Sequence, residues 1–321
     1  MVLALDWTPA GAQERRAPDA PQRPRELVSF LTGDPDDLEV TPGGPALLLM
    51  GGGRDVDHAF AWFRDLVRGG DVVVLRTSGA DGYNAYLYQQ IGGIDSVETL
   101  LVTTRELAES PWVARRIEEA EGVFIAGGDQ STYVRAWKGT ALERALHAAW
   151  RRGAALGGTS AGAAILGQFS YAALHGGLTS DGALRDPFTR DLTLERDFLR
   201  LSFLEGAVID THFGRRDREG RMLAFLARLM ADGWHERPLG IGLDEETALA
   251  IGRGGKARVF GKGAVTIYRP GEPPARCEPG RALRLEGVGA WTLRRNDTVD
   301  LPAGPGGAPA RRVAAIDGAV R

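Results

Sequence analysis

Gly158-Thr159-Ser160-Ala161-Gly162 decides how this chain is read. It follows an apolar stretch, residues 154–156, that reads as a short buried strand. It precedes Ala163-Ala164-Ile165-Leu166, which reads as the first turns of a helix. A serine flanked by glycines at a strand-to-helix turn has the G-x-S-x-G spacing of a nucleophile elbow, a turn too tight for side chains close to the serine backbone. At a helix N-terminus, free N–H groups and the positive dipole end favour negative charge, which is what a developing oxyanion needs. The spacing alone is weak evidence in a chain with 44 Gly, and a turn with Ser as a simple cap is the plain alternative. The strand before and the helix after give the motif its weight.

Moving outward, Ala46–Met50 is a continuous apolar run ending in Gly51-Gly52-Gly53. Val56, Ala59, Phe60, Phe63 and Val67 then recur at helical spacing. Residues 72–75, 97–102 and 122–126 read as further buried strands, with helices predicted over about 83–91, 111–120 and 140–152. Residues 207–209 form another apolar run, ending in Asp210-Thr211-His212-Phe213. A helix with Met222, Phe225, Leu226, Leu229 and Met230 on one face follows. After Pro238, the segments 239–243, 247–251, 257–260 and 265–268 read as hairpins on one end of the sheet.

Short apolar strands alternating with helices predict an α/β fold, a mostly parallel sheet flanked by helices, with C-terminal β-hairpins. Right-handed crossovers then gather the loops at the strand C-termini along one edge, where ligands bind. Residues 1–44, rich in Pro, Arg, Asp and Gly, read as a poorly structured extension. Residues 45–295 read as a single hydrolase-type domain and 296–321 as a tail or edge segment.

Bulk composition narrows the function classes. The formal charge of -3 over 321 residues gives no basic excess for nucleic acid or an anionic membrane. The single cysteine, Cys277, excludes an internal disulfide and a Cys-based zinc cluster, and fits a reducing, cytoplasmic setting. No apolar run approaches the roughly 18 residues that span a bilayer. The N-terminus lacks a basic start, although Ala10-Gly11-Ala12 resembles a signal cleavage site, so a secreted form with a truncated leader stays open.

A serine nucleophile needs a base to take its proton and a group to orient that base. Among five histidines, His58, His147 and His235 lie in or near helices, and His175 lies in a Gly-rich loop. His212 directly follows a buried strand, at the edge where the other loops collect, and is the best base. For the acid, Glu245 comes first, in the loop Asp244-Glu245-Glu246 after the strand 240–243; Asp181 comes second, ahead of Asp186 and Asp191. Oxyanion donors are expected from the N–H groups of Ala161 and Gly128. Arg215, Arg216, Arg218 and Arg221 crowd just after His212. Four cations near a helix N-terminus oppose its dipole, which favours a role in gripping substrate carboxylates over a solvated face with an Asp217–Arg221 pair.

These pieces, in this order, resemble the cyanophycinase and dipeptidase E-like serine peptidases: 49–53, 127–130, 158–163, 210–213, Arg216, Arg218, Gly220, Arg221 and 240–245. The resemblance covers about residues 45–270. It implies a fold like that of class I glutamine amidotransferase domains, Ser160 as nucleophile and His212 as base, and a substrate pocket lined by Gln130, Asp210, Arg216, Arg218 and Arg221. It further implies cleavage next to an aspartyl residue in cyanophycin, a β-aspartyl peptide or an aspartyl dipeptide, by a homodimer without metal or cofactor. Two positions depart from the pattern. Better-known members carry a carboxylate shortly after the nucleophile helix where this chain has 169–174, and some carry Gln where it has Thr211.

Overall fold

Five parallel strands form the frame that presents the serine. The computed structural model describes residues 21–321, so the Ala10-Gly11-Ala12 motif lies outside the described residues. The five run in the order Ser96–Leu101, Asp71–Arg76, Gly122–Ile125, Ala155–Thr159, Ala46–Met50. Ala46–Met50 and Ala155–Thr159 are buried at every position, as strands covered on both faces must be. Helices Asp57–Val67, Pro111–Glu119 and Ala141–Arg152 cover the sheet and bury one apolar stripe each. Phe60, Phe63, Phe124, Tyr83 and Tyr86 interlock edge-to-face or tilted under the first of these, with centroids 4.9–6.4 Å apart.

The sheet is larger and less parallel than its sequence predicts. Antiparallel strands extend both sides: Val28–Gly33 beyond Ser96–Leu101, and Thr247–Ile251, Lys256–Gly261 and Thr298–Asp300 beyond Ala46–Met50. Nine strands result, with as many antiparallel pairings as parallel ones. The predicted extension thus contributes an edge strand, Val28–Gly33. Its positions are half-buried or exposed, so it lacks the apolar run that marks the central strands. Buried Asn84 ties it down: Nδ2 donates to the Phe30 and Val97 carbonyls, and Oδ1 accepts from Thr99. The helix expected over 83–91 is one wide turn, Tyr86–Ile91.

The expected hairpins divide: Thr247–Ile251 and Lys256–Gly261 pair antiparallel on the first sheet, and the remaining segments belong to a second, eight-stranded sheet. Its centre is parallel: Leu239–Leu243 runs beside Ala207–Asp210, in register from Leu239 opposite Ala207 to Gly242 opposite Asp210. Val265–Arg269, Leu285–Leu293 and Arg311–Ile316 continue it antiparallel. Sequence reading placed Leu239–Leu243 in a hairpin because strand spacing carries no information about a parallel partner thirty residues upstream. A single core joins the two sheets, with Leu49, Leu249 and Ile125 from one packed with Ile209, Ile241 and Ile267 from the other. The strand ends carrying residues 160, 212 and 245 meet along this junction.

Candidate active site

Ser160 sits between Ala155–Thr159 and a one-turn helix, Ala161–Ala164, at φ 53 and ψ -123. Positive φ is costly for a residue with a Cβ and persists only where the surroundings enforce it. Glycine is required on either side. A Cβ on Gly158 would lie 2.5 Å from the Gly162 backbone, and one on Gly162 would lie 2.1 Å from the Ile125 carbonyl oxygen. The helix is too short to carry an appreciable macrodipole, so the expected dipole assistance falls away and the local N–H groups remain.

Ser160 Oγ lies 2.7 Å from His212 Nε2, and His212 Nδ1 lies 2.7 Å from Glu245 Oε1. Strand register brings the last two together: Asp210 faces Gly242, His212 follows two residues later, and Glu245 three residues after its own strand position. The His212 backbone is also at positive φ, and its N–H donates to the Gly51 carbonyl at 2.8 Å. Gly52 makes room for the imidazole, since a Cβ there would fall 2.4 Å from Cε1 of the ring. Asp244 clamps the loop, Oδ1 accepting from the Gly214 N–H and Oδ2 from the Ala264 N–H. Sequence spacing gives no sign of this anchoring role.

Burial holds the His212 pKa below the ordinary imidazole value. Arg216 and Arg218 push the same way, and the Glu245 hydrogen bond opposes them. Glu245 is held below the ordinary carboxylate value, first by its bond to His212 and then by Arg215, whose Nε lies 3.5 Å from Oε2. At neutral pH the imidazole is therefore neutral and its partner ionised, the state a general base needs. Asp181, the second candidate acid, is exposed on the helix Ser180–Arg185 and makes no hydrogen bond to His212. His147 Nε2 accepts from the Arg200 N–H and His235 Nδ1 from the Arg237 N–H, while His58 and His175 are exposed.

Gly127 abuts Ser160, a Cβ there reaching 3.4 Å from Ser160 Cβ, and Gly128 beside it is exposed. The N–H groups of Gly128 and Ala161 have no backbone acceptor among the described residues. Gln130 opens the helix Gln130–Trp137 from this loop and is half-buried.

The arginine cluster divides. Arg215 and Arg216 are exposed. Arg221 is buried and fully committed: Nε and Nη2 fork onto Asp210, each at 2.6 Å, and Nη1 donates to the Leu178 carbonyl. Arg218 Nη1 donates to Asp210 and to the Thr211 carbonyl, leaving Nε and Nη2 without partners among the described residues. Asp210 and Arg221, expected to line a substrate pocket, thus form a buried pair that fixes Arg218. The i,i+4 alternative, Asp217 with Arg221, does not form.

Residues 47–259 match the family described as Peptidase family S51. The chain belongs to peptidase family S51. It is a serine-type peptidase, a hydrolase. Similar proteins include the cyanophycinase of Trichormus variabilis, 31% identical over 245 residues covering 73% of this chain and 76% of that one. The cyanophycinase of Synechococcus elongatus is 34% identical over 179 residues, covering 56% and 51%. The crystal structure of a peptidase from an acI-B1 Actinobacterium shares the α/β fold, with a TM-score of 0.55 at 18% identity, over 80% of this chain and 97% of that one. No helix among the described residues is long and apolar enough to cross a membrane.

Proposed function

We propose that this S51 peptidase is a cyanophycinase-type exopeptidase acting on cyanophycin or β-aspartyl peptides, with Ser160, His212 and Glu245 as its triad. The observation that carries this reading is the unbroken hydrogen-bonded chain, 2.7 Å from Ser160 Oγ to Nε2 and 2.7 Å from Nδ1 to Glu245. Ser160 Oγ attacks the carbonyl next to an aspartyl residue as Nε2 takes its proton. The N–H groups of Ala161 and Gly128 receive the negative oxygen. The imidazolium, stabilised by Glu245, then protonates the leaving amine, and water repeats the sequence on the acyl-enzyme. Gln130, Arg216 and the free guanidinium nitrogens of Arg218 hold substrate carboxylates, and the Asp210–Arg221 pair keeps Arg218 aimed.

The names of the relatives and the unpartnered guanidinium nitrogens of Arg218 favour this substrate class. Incubation with insoluble cyanophycin and a panel of β-aspartyl dipeptides, wild type against Ser160→Ala, tests it. We expect β-aspartyl-arginine from the wild type and a loss of at least about 10⁴-fold in the variant. Equal release by both proteins removes Ser160 from the mechanism; release from the dipeptides alone reassigns the substrate.

A further inference from the structure

A cleft of about 560 Å³ opens one residue away from Glu245 on two sides. Gly53 packs on the Glu245 side chain, and Arg54 after it enters the cleft; Glu246, after Glu245, does the same from the opposite segment. The Glu246 N–H donates to the Gly52 carbonyl at 2.9 Å, so the two segments are tied together at the catalytic edge. The cleft volume falls within the range of small-ligand sites, about 300–1,000 Å³.

Its walls carry both signs of charge side by side. Arg54 and Arg295 are exposed and make no hydrogen bond or ion pair among the described residues. Arg258 leans over Phe260, 5.3 Å from the ring centroid, with Nη2 donating to Asn296. Directly after Arg54 in the lining, Asp55 accepts from Tyr83 and Asp57 from Tyr86, each through one oxygen, and each second oxygen lacks a partner among the described residues. Burial is the main cause that raises the Asp55 pKa, an unfavourable setting for a carboxylate that an incoming cation would relieve. Lys262 is the exception, already paired with Glu246 at 2.6 Å.

Open cations beside open carboxylates suit a ligand that itself carries both. We propose, on the basis of the peptide chemistry assigned above, that this cleft is a distal subsite. It holds the part of a zwitterionic peptide chain, bearing guanidinium and carboxylate groups at intervals, that lies beyond the scissile bond. Arg54 and Arg295 take its carboxylates, and Asp55 and Asp57 take its guanidinium groups. Exposed ion pairs are individually weak, so the cleft acts through repetition: a long chain engages it and a short peptide does not.

The test compares a short β-aspartyl-arginine peptide with one scissile bond against a long soluble polymer of the same chemistry. Arg54→Glu combined with Arg295→Glu alters two exposed, unpaired side chains and leaves the fold intact, which the melting temperature checks. We expect KM for the polymer to rise about tenfold, with kcat unchanged and the short peptide unaffected. About 0.5 M NaCl should raise the wild-type polymer KM in the same direction and leave the short peptide alone. Equal effects on both lengths, or none on either, overturn the subsite. Binding of a fluorescent polymer to the Ser160→Ala protein reads the cleft without chemistry. Polymer affinity that survives the double charge reversal refutes the subsite even if the substrate of the serine proves different, and hydrolysis of neither length by the wild type refutes the substrate reading alone.

Discussion

At the scale of single residues, the environment of His212 decides the pH behaviour. Its pKa is lowered from 6.5, first by burial, with Arg216 and Arg218 adding to the effect and Glu245 opposing it. The neutral, proton-accepting form therefore persists to lower pH than for a free imidazole. The acidic limb of kcat/KM is expected to have its midpoint below 6.5, the value of an unperturbed imidazole. Removing an opposing cation must reverse part of this, so Arg216→Ala should move the midpoint up. Glu245→Gln removes the one group favouring the imidazolium, so the midpoint should fall further while kcat drops by roughly 10³–10⁴. A pH–rate profile of the three proteins checks both signs, and a common midpoint for all three would detach the limb from His212.

At the scale of elements, the end of Ala207–Asp210 and the start of the helix Glu219–Ala231 are held together by charge inside the protein. Asp210 and Arg221 are each 3% exposed and joined by two 2.6 Å hydrogen bonds, with Arg221 also 5.1 Å from the Tyr171 ring centroid. Breaking a buried pair costs more than never having it, because the remaining charge stays desolvated. Asp210→Ala should destabilise by about 3–5 kcal/mol, and Asp210→Leu with Arg221→Met should cost less than the two single changes summed. Urea unfolding of the two singles and the double measures the difference; additive losses would mean that the charges do not act as a pair. The double variant also frees Arg218, so its KM for acidic peptides should rise even where its stability recovers. In the sequence this pair read as a substrate contact because Asp210 and Arg221 belong to the motif. Only the burial of both groups shows that they face each other.

At the scale of the whole molecule, the legible parts were those with a single-strand signature. Ala46–Met50 and Ala155–Thr159 announce themselves because burial on both faces demands uninterrupted apolar residues, and the elbow because its glycines answer backbone contacts. The second sheet was hidden because Leu285–Leu293 and Arg311–Ile316 are only partly buried. Spacing does not tell whether Glu245 or Asp181 reaches His212, since that depends on which strand lies beside Ala207–Asp210. The edge strand Val28–Gly33 was missed for a similar reason: half-exposed positions among Pro-rich flanks do not stand out. Its position gives a clean separation of stability from chemistry. Four strand spacings of about 4.8 Å place it roughly 19 Å from the strand that carries Ser160. Deleting the chain through residue 34 would leave the outer edge of Ser96–Leu101 unpaired and strip Asn84 of the Phe30 carbonyl. A loss of about 2–3 kcal/mol, or about 3–5 °C in Tm, is expected for a chain of this size. The kcat/KM per folded molecule on short peptides should stay within about twofold, because nothing in the hydrogen-bonded chain from Ser160 to Glu245 touches that edge. Calorimetry and active-site titration of the shortened chain measure the two quantities separately. An unchanged Tm would reduce the strand to an appendage, and a collapse of activity in molecules that remain folded would mean that the edge steers the site through the intervening strands.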